Sequence, residues 1–417
     1  MRPLLAIYFA LSMLARALSF VSVLLFAHAM TPAEFGIYAF LQASTSVIVV
    51  FATLNLPTPI TVVLARGGGA RLKLENTILV GAVLSSILLS ALVSASSYSF
   101  AFPDVSLNSE ELVYFIVLTG MNSLQILTGA ALIARGRHVQ SALAALMTTS
   151  TVCLGLTLMS DVSLVEALRL AAVSATIGGV TSIFMVLSGG LHYDFGGAVD
   201  SLRKFLKRSG TSILIFSLLS FCGSLSFQFG LWFLQRQLLV NGGAEQAATF
   251  AIGNQFYNIV LFLPGIFGPL LLRRLSRTRE EHQLRLALCA GAAAVGVSIL
   301  GIIVFILMSP LILMLLPSKY QIDAEPLVLS IVAGAIMFAK APLSVFFQAR
   351  VSAGAEVLAS VVGSVVLVIG AWIPVLVVNA TQSLWLRVGA HLALLLIVLV
   401  ALLMQSRSTT RKFWCRP

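Results

Sequence analysis

The sequence predicts an all-α, polytopic membrane protein with about twelve transmembrane helices, arranged as two six-helix lobes around a central cavity. Hydrophobic residues make up 59% of the 417 residues and charged residues only 10%, whereas a soluble domain carries roughly 25% charged residues. Mean hydropathy is +1.02. The apolar runs reach about 20 residues, the length that crosses a bilayer as a helix. None of them alternates polar and apolar residues with the period of a strand.

Twelve apolar runs are predicted to be the helices, and the segments between them are short. The first six are Leu4–Phe26, Gly36–Leu64, Thr77–Ser97, Leu112–Ala134, Val139–Ser160 and Leu164–Leu187. The second six are Gly210–Phe233, Ala247–Leu272, Leu284–Met308, Glu325–Phe347, Ala355–Val378 and Trp385–Met404. The first run exceeds the apolar core of a signal peptide, about 7–15 residues, so we expect it to be retained as a helix.

The basic residues predict the orientation of these helices. Of the 26 Lys and Arg residues, 20 fall on the side that holds both termini, three on the opposite side and three inside apolar runs. The three on the opposite side are Arg236, Lys319 and Arg387. This asymmetry predicts that both termini lie in the cytoplasm; the membrane expected for the chain is the bacterial inner membrane, as the family resemblance given below implies. The net charge of +11 then indicates attraction to anionic lipids, not binding of nucleic acid.

The longest cytoplasmic connection divides the chain into two halves. Residues 1–187 form the predicted N-terminal lobe, 188–209 a glycine-rich and basic linker, 210–404 the C-terminal lobe and 405–417 a basic tail. A faint repeat relates the halves, because Leu56-Pro57 and Leu263-Pro264 occupy corresponding positions in the last part of spans two and eight, at an offset of 207 residues. Helices broken at corresponding positions often mark the path of a transported molecule.

No pattern in the sequence predicts catalysis. The five histidines lack the spacing of metal ligands on a helix. Paired carboxylates within the apolar runs and a glycine-rich phosphate loop after a strand are also missing. We therefore expect a protein that is not an enzyme and that needs no metal or cofactor.

Two cations inside apolar runs are candidates for a binding site. Arg16 lies about 18 Å along the first helix from Leu4 and about 15 Å from Phe26. A cation at the centre of a helix costs about 2.5–3.5 kcal/mol to insert, so it faces a wet cavity or a protein partner. Both interpretations stay open for Arg16. Lys340 lies nearer a helix end, where its ammonium could also reach the headgroup region.

Polar amides and prolines concentrate in the second and eighth runs. The amide candidates for the cavity wall are Gln42, Asn55, Asn254, Gln255 and Asn258. Amides in hydrocarbon need partners or water, so these residues either line a polar path or join helices to one another. Prolines in the same runs are expected to bend both helices.

The stretch from Phe26 to Phe40, which reads FAHAMTPAEFGIYAF, resembles the first outer loop of the polysaccharide transporter family. These are lipid-linked oligosaccharide and O-antigen flippases of the multidrug/oligosaccharidyl-lipid/polysaccharide exporter superfamily. Glu34, Phe35-Gly36 and Tyr38-Ala39 agree with the family pattern, whereas Thr31-Pro32 replaces its Gly-Pro. An acidic residue in the middle of the first two spans, which many cation-coupled relatives have, is missing.

The resemblance implies two lobes that face each other across a cationic cavity, to which Arg16 would contribute. The related lipid II flippases use basic residues at the inner ends of spans two and eight, and Arg66 and Arg273 are the corresponding positions. The basic residues expected to attract an anionic lipid head at the cytoplasmic surface are Arg66, Arg71, Lys73, Arg273 and Arg274.

The leading hypothesis is a flippase that exports a polyprenyl-diphosphate-linked oligosaccharide for surface polysaccharide assembly. Its expected partners are this glycan lipid, anionic membrane lipids and other membrane proteins of polysaccharide assembly. Two alternatives stay open. One is a cation-coupled multidrug exporter of the same superfamily, which the shortage of buried acidic residues disfavours. The other is a membrane-bound glycan polymerase or ligase, which would need a larger outer loop than the sequence offers.

Overall fold

The fold was analysed in a computed structural model. It describes residues 2–57, 83–84, 86–94, 107–159, 161–188, 211–278, 280–320, 322–350 and 354–414. The chain is all-α. Within the described residues, ten helices are long and apolar enough to cross a membrane, and one further pair of helices meets these criteria as a single span bent by 43°.

The helices follow one another with short connections. The N-terminal lobe contains α1 (Arg2–Ala29), α2 (Pro32–Thr53), α3 (Ser109–Ala134), α4 (His138–Thr157) and α5 (Leu164–Leu187). The C-terminal lobe contains α6 (Thr211–Gly242), α7 (Ala244–Val260), α8 (Phe262–Arg277), α9 (Glu280–Leu315), α10 (Ala324–Ala349), α11 (Gly354–Trp372) and α12 (Ala380–Trp414). Residues 83–84 and 86–94 are also helical and lie within the predicted third span.

The predicted spans agree with these helices, and α5 has the predicted bounds of Leu164 and Leu187. The second span was predicted to run to Leu64, but α2 ends at Thr53 because Leu54 and Asn55 adopt left-handed backbone conformations with φ near 50°. The predicted linker, residues 188–209, lies outside the described residues except for Ser188.

Three helices begin with a capping box at the end of the bundle predicted to face outward. The N-cap residues of α2, α3 and α5 are Thr31, Asn108 and Ser163, and each pairs with a glutamate three residues later. Both partners satisfy backbone N–H groups that a helix start leaves open. These capped helix starts determine where each chain segment enters the hydrocarbon layer of the membrane.

The two lobes meet along α1 and α2 on one side and along α6, α7 and α8 on the other. The largest hydrophobic cluster crosses this boundary toward the outer end, where Phe26 and Phe35 join Phe256 and Tyr320. Gly36 of α2 lies so close to the backbone of Ala244 in α7 that a β-carbon would collide with it. The lobes are therefore closed against each other at this end.

A short 3₁₀ turn, Ser318–Tyr320, completes the outer closure. The Lys319 ammonium donates hydrogen bonds to the carbonyl oxygens of His28 and Met30, at 2.7 and 2.6 Å. The Tyr320 hydroxyl donates to the carbonyl of Ala27 at 2.9 Å. These carbonyls lie at the C-terminal end of α1, which carries negative partial charge. Burial lowers the pKa of Lys319, and the nearby Asp161 carboxylate opposes this shift.

Candidate functional site

Arg16 lies on the lobe interface and reaches from α1 toward the C-terminal lobe. Its Nη2 atom is 3.7 Å from the position that a β-carbon on Gly265 of α8 would take. The Arg16 side chain is exposed, and among the described residues no carboxylate pairs with it and no group accepts its hydrogen bonds. The Tyr8 hydroxyl is hydrogen-bonded to Ser12 and lies close enough to interact electrostatically with Arg16. The geometry therefore supplies a cation with open donors at the boundary of the lobes.

The helices that carry the predicted polar wall are broken at corresponding positions. The end of α2 falls at Leu54 and the bend between α7 and α8 falls at Leu261, which are 207 residues apart, the offset of the sequence repeat. Asn55, at the first break, donates hydrogen bonds to Ser220 and Ser224 of α6, at 2.7 and 3.0 Å. This predicted cavity residue thus joins the two lobes in the described structure.

The other predicted amides differ in their surroundings. Gln42 donates a hydrogen bond to the Tyr38 hydroxyl on its own helix, at 2.9 Å. Gln255 and Asn258 on α7 are half-buried, and their side chains make no hydrogen bond to any residue in the described ranges. Free amides on a membrane-embedded helix are expected to face water or a ligand.

Lys340 lies inside the C-terminal lobe and not beside Arg16. Its side chain is buried, and its ammonium lies 3.7 Å from a carboxylate oxygen of Glu356 on α11. In this structure the ammonium therefore has a counter-charge from a neighbouring helix. A cavity role for Lys340 stays a prediction, and it would require this pair to open.

Arg387 is the functional candidate that the sequence analysis missed. Its predicted position on the outer side of the membrane stays a prediction. The structure places Arg387 seven residues into α12, which begins at Ala380, and buries it to 3% exposure. Its Nη1 atom donates to the Asn254 amide oxygen at 2.8 Å. Its guanidinium carbon lies 3.8 Å from the centre of the Tyr257 ring. Asn254, a predicted cavity residue, is thus tied to a cation of the C-terminal lobe.

His391 lies one helical turn beyond Arg387 and is fully buried. Its ring contacts Phe227 and Tyr257, at centroid distances of 5.4 and 5.5 Å. The spacing of Arg387 and His391, four residues apart, places them on one face of α12. The sequence signal that could have identified Arg387 and His391 is the presence of two titratable residues on one face of an apolar run.

The predicted cytoplasmic basic residues fall largely beyond the described part. Arg66, Arg71 and Lys73 lie outside the described residues, and of Arg273 only the backbone, in the last turns of α8, is described. Arg274 is exposed on α8. In the described ranges, no group of three or more His, Cys, Asp or Glu residues is placed to hold a metal ion.

The architecture is that of known membrane transporters with two helical lobes. No family model and no curated protein matches the sequence, but solved structures match the fold over almost the whole chain. One is the outward-facing conformation of a multidrug resistance MATE family transporter of the MOP superfamily. It has a TM-score of 0.71 at 14% identity and covers 98% of this chain and 96% of its own.

Two further structures have the same fold. The lipid II flippase MurJ, in an inward closed conformation, has a TM-score of 0.69 at 13% identity, over 94% of this chain and 87% of its own. A MOP superfamily transporter from Pyrococcus furiosus has a TM-score of 0.66 at 13% identity, over 97% and 95%. The chain therefore has the fold that MATE transporters and MurJ share.

Proposed function

We propose that the chain is a flippase that moves a polyprenyl-diphosphate-linked oligosaccharide from the cytoplasmic to the outer leaflet. The observation that carries this proposal is Arg16. A guanidinium deep in a membrane helix, without an ion pair in the described structure, is expensive unless an anionic group visits it. A diphosphate can accept paired hydrogen bonds from a guanidinium, which gives both affinity and orientation.

Other features of the lobe interface suit the remaining parts of such a lipid. Gln255 and Asn258 offer to sugar hydroxyls amides that make no hydrogen bond within the described residues. An apolar cavity of about 570 Å³ on the seam between the lobes, lined by residues that include Phe51, Leu225 and Phe229, matches the chemistry of an isoprenoid chain. The fold shared with the lipid II flippase MurJ is compatible with lipid transport. The proposal includes the identity of the transported lipid, the direction of transport and the bacterial inner membrane as its location.

The proposed cycle is a rocking of the two lobes about the site. In the described state the outer end is closed by the Lys319 and Tyr320 hydrogen bonds, so the lipid head would enter from the cytoplasmic side. Each negative charge that then moves outward gains about 2.3 kcal/mol per 100 mV of inside-negative potential. The membrane potential would therefore favour export of a diphosphate that moves without a counter-ion.

Replacement of Arg16 tests the proposal. We expect Arg16→Gln to reduce surface glycan by about tenfold or more, because a charged hydrogen-bond donor to the diphosphate is lost. Arg16→Lys should retain part of the export, since it keeps the charge but loses the paired geometry. The assay is cell-surface glycan in a strain without its chromosomal copy, at matched membrane levels of the protein.

The matched control is Arg169→Gln, which removes an exposed arginine from α5. It lowers the charge by the same amount away from the lobe interface. Normal export by Arg16→Gln, or equal losses in both variants, would exclude Arg16 from the mechanism.

A multidrug exporter is the second candidate, because the fold matches a multidrug resistance MATE structure at a TM-score of 0.71. Expression in a strain that lacks its own drug exporters separates the two candidates. Increased resistance to cationic drugs, with unchanged surface glycan, would support the exporter and overturn the flippase.

A further inference from the structure

We infer that the C-terminal lobe contains a second anion-binding site, built by Arg387, His391, Asn254 and Tyr257, which we call the Arg387 site. It is separate from Arg16, and its ligand is a small anion or the anionic group of a larger molecule. The inference stands on the geometry of this lobe and does not depend on the cargo proposed above.

The first observation is an unbalanced charge. Arg387 is 3% exposed, and its partners in the described structure are neutral. They are the Asn254 amide, the hydroxyl and ring of Tyr257, and the ring of Phe250. Two carboxylates described near this region already have partners. Glu356 lies 3.7 Å from the Lys340 ammonium, and Glu325 accepts a hydrogen bond from the Trp385 indole at 3.1 Å. A buried cation that lacks a counter-charge is strongly unfavourable, so an anion that joins it from outside the chain is stabilised.

The second observation is a set of unused hydrogen-bonding atoms. The Nε of Arg387 and both ring nitrogens of His391 are buried and have no hydrogen-bond partner among the described residues. Buried polar atoms in native proteins are nearly always paired, so each exception requires an explanation. A bound anion would accept from Arg387 Nε and from one N–H of the imidazole.

The third observation is the arrangement of the side chains. Arg387 and His391 are four residues apart on α12 and lie on one face of this helix. Tyr257 contacts both Arg387 and His391, so one ring holds the arginine and the histidine side by side.

The site also has a connection to the lobe interface. Asn254, which holds Arg387 Nη1, is half-buried and precedes the free amide of Gln255 on α7. An anion that took the place of the Asn254 amide oxygen on Arg387 would release the Asn254 side chain. Occupation of the Arg387 site would thereby change α7, a helix on which both lobes pack.

Direct binding to the purified full-length protein tests the inference. The probes are ³⁶Cl⁻ and ³²P-labelled inorganic pyrophosphate, measured by scintillation proximity with gluconate as the counter-anion. We expect saturable binding of at least one probe to the wild type. Chloride binding alone would identify a small inorganic anion as the ligand, and pyrophosphate binding would identify a phosphate group of a larger molecule.

Three variants assign the signal. Arg387→Gln is expected to lower the affinity by about tenfold or more, because the guanidinium is the principal donor. Arg169→Gln, the exposed control, should bind as the wild type does. Arg16→Gln should retain binding at the Arg387 site. Absence of saturable binding to the wild type would overturn the inference, even if Arg387→Gln failed to fold.

Binding that disappears in Arg16→Gln and persists in Arg387→Gln would place the anion in the lobe interface and also overturn the inference. This result would leave the flippase proposal standing. Conversely, normal glycan export by the Arg16→Gln variant would overturn the flippase proposal but would not affect the anion binding measured at the Arg387 site.

Discussion

At the scale of single residues, Gly36 controls how closely the lobes approach at the outer end. It lies within the FGIY segment that resembles the polysaccharide transporter family, and its missing side chain lets α2 touch the backbone of Ala244. Backbone atoms cannot rotate away as the tip of a side chain can. A methyl group at this position must therefore push α2 away from α7.

We expect Gly36→Ala to destabilise the closed state by about 1–3 kcal/mol, the usual cost of overpacking. Thermal unfolding in detergent should show a Tm lower by on the order of a few degrees. The control is Gly301→Ala in α9, where a β-carbon would meet open space. Equal Tm values for the two variants would mean that the close approach at Gly36 does not limit packing.

The residue scale also shows what the sequence could not predict. Arg16 was found from its depth in an apolar run, a property that depends on local sequence. The Lys340–Glu356 pair depends on how α10 packs against α11, and no local pattern contains that information. The burial of Arg387 likewise depends on how α12 packs against α7, which the apolar run alone does not contain.

At the scale of elements, the apolar lengths fixed most helices. A membrane helix must satisfy its own backbone hydrogen bonds, so its length follows from the thickness of the apolar layer. The breaks at Leu54 and Leu261 followed from the repeat only in part. Prolines after each position indicated bends. Asparagine adopts the left-handed conformation more readily than most residues, which suits Asn55, but the same conformation at Leu54 has no sequence signal.

The 3₁₀ turn Ser318–Tyr320 is the element for which closure can be tested. We expect the double change Lys319→Gln with Tyr320→Phe to favour opening of the outer end. It weakens hydrogen bonds to the end of α1, where those from a charged donor are worth about 1.5–3 kcal/mol each. Spin labels at Leu158 and Val375, exposed positions on the two lobes, should show a larger population at long distance.

The matched control for this experiment is Tyr114→Phe. Its hydroxyl bonds to Glu110 within a single helix, so its loss should leave the distance between the lobes unchanged. An unchanged distribution in the double variant would show that the turn does not hold the lobes together.

At the scale of the whole molecule, the described state is closed on one side. The largest core joins both lobes toward the outer end. Arg16, which lies nearer the N-terminal end of α1, is exposed. A chain that moves a lipid head between leaflets needs such asymmetry in each state. With the predicted orientation of the termini, we expect Arg16 to be accessible from the cytoplasm.

Cysteine labelling measures this access. In a background where the four native cysteines are changed to serine, Ser12→Cys, one turn before Arg16, should react with an impermeant maleimide in inside-out vesicles. It should remain largely unlabelled in right-side-out cells, because the outer core blocks the reagent. Leu158→Cys, 87% exposed at the outer end of α4, should show the opposite pattern. Labelling of Ser12→Cys from outside would contradict either the orientation or the closure.

The bonds from Lys319 and Tyr320 end on main-chain oxygens of Ala27, His28 and Met30. Every amino acid presents the same oxygen, so closure imposes no chemical identity on the residue that supplies it. His28, whose side chain is exposed, is therefore free to drift during evolution, whereas Lys319 is not. A survey of variants should find position 28 variable and position 319 restricted to residues that can donate.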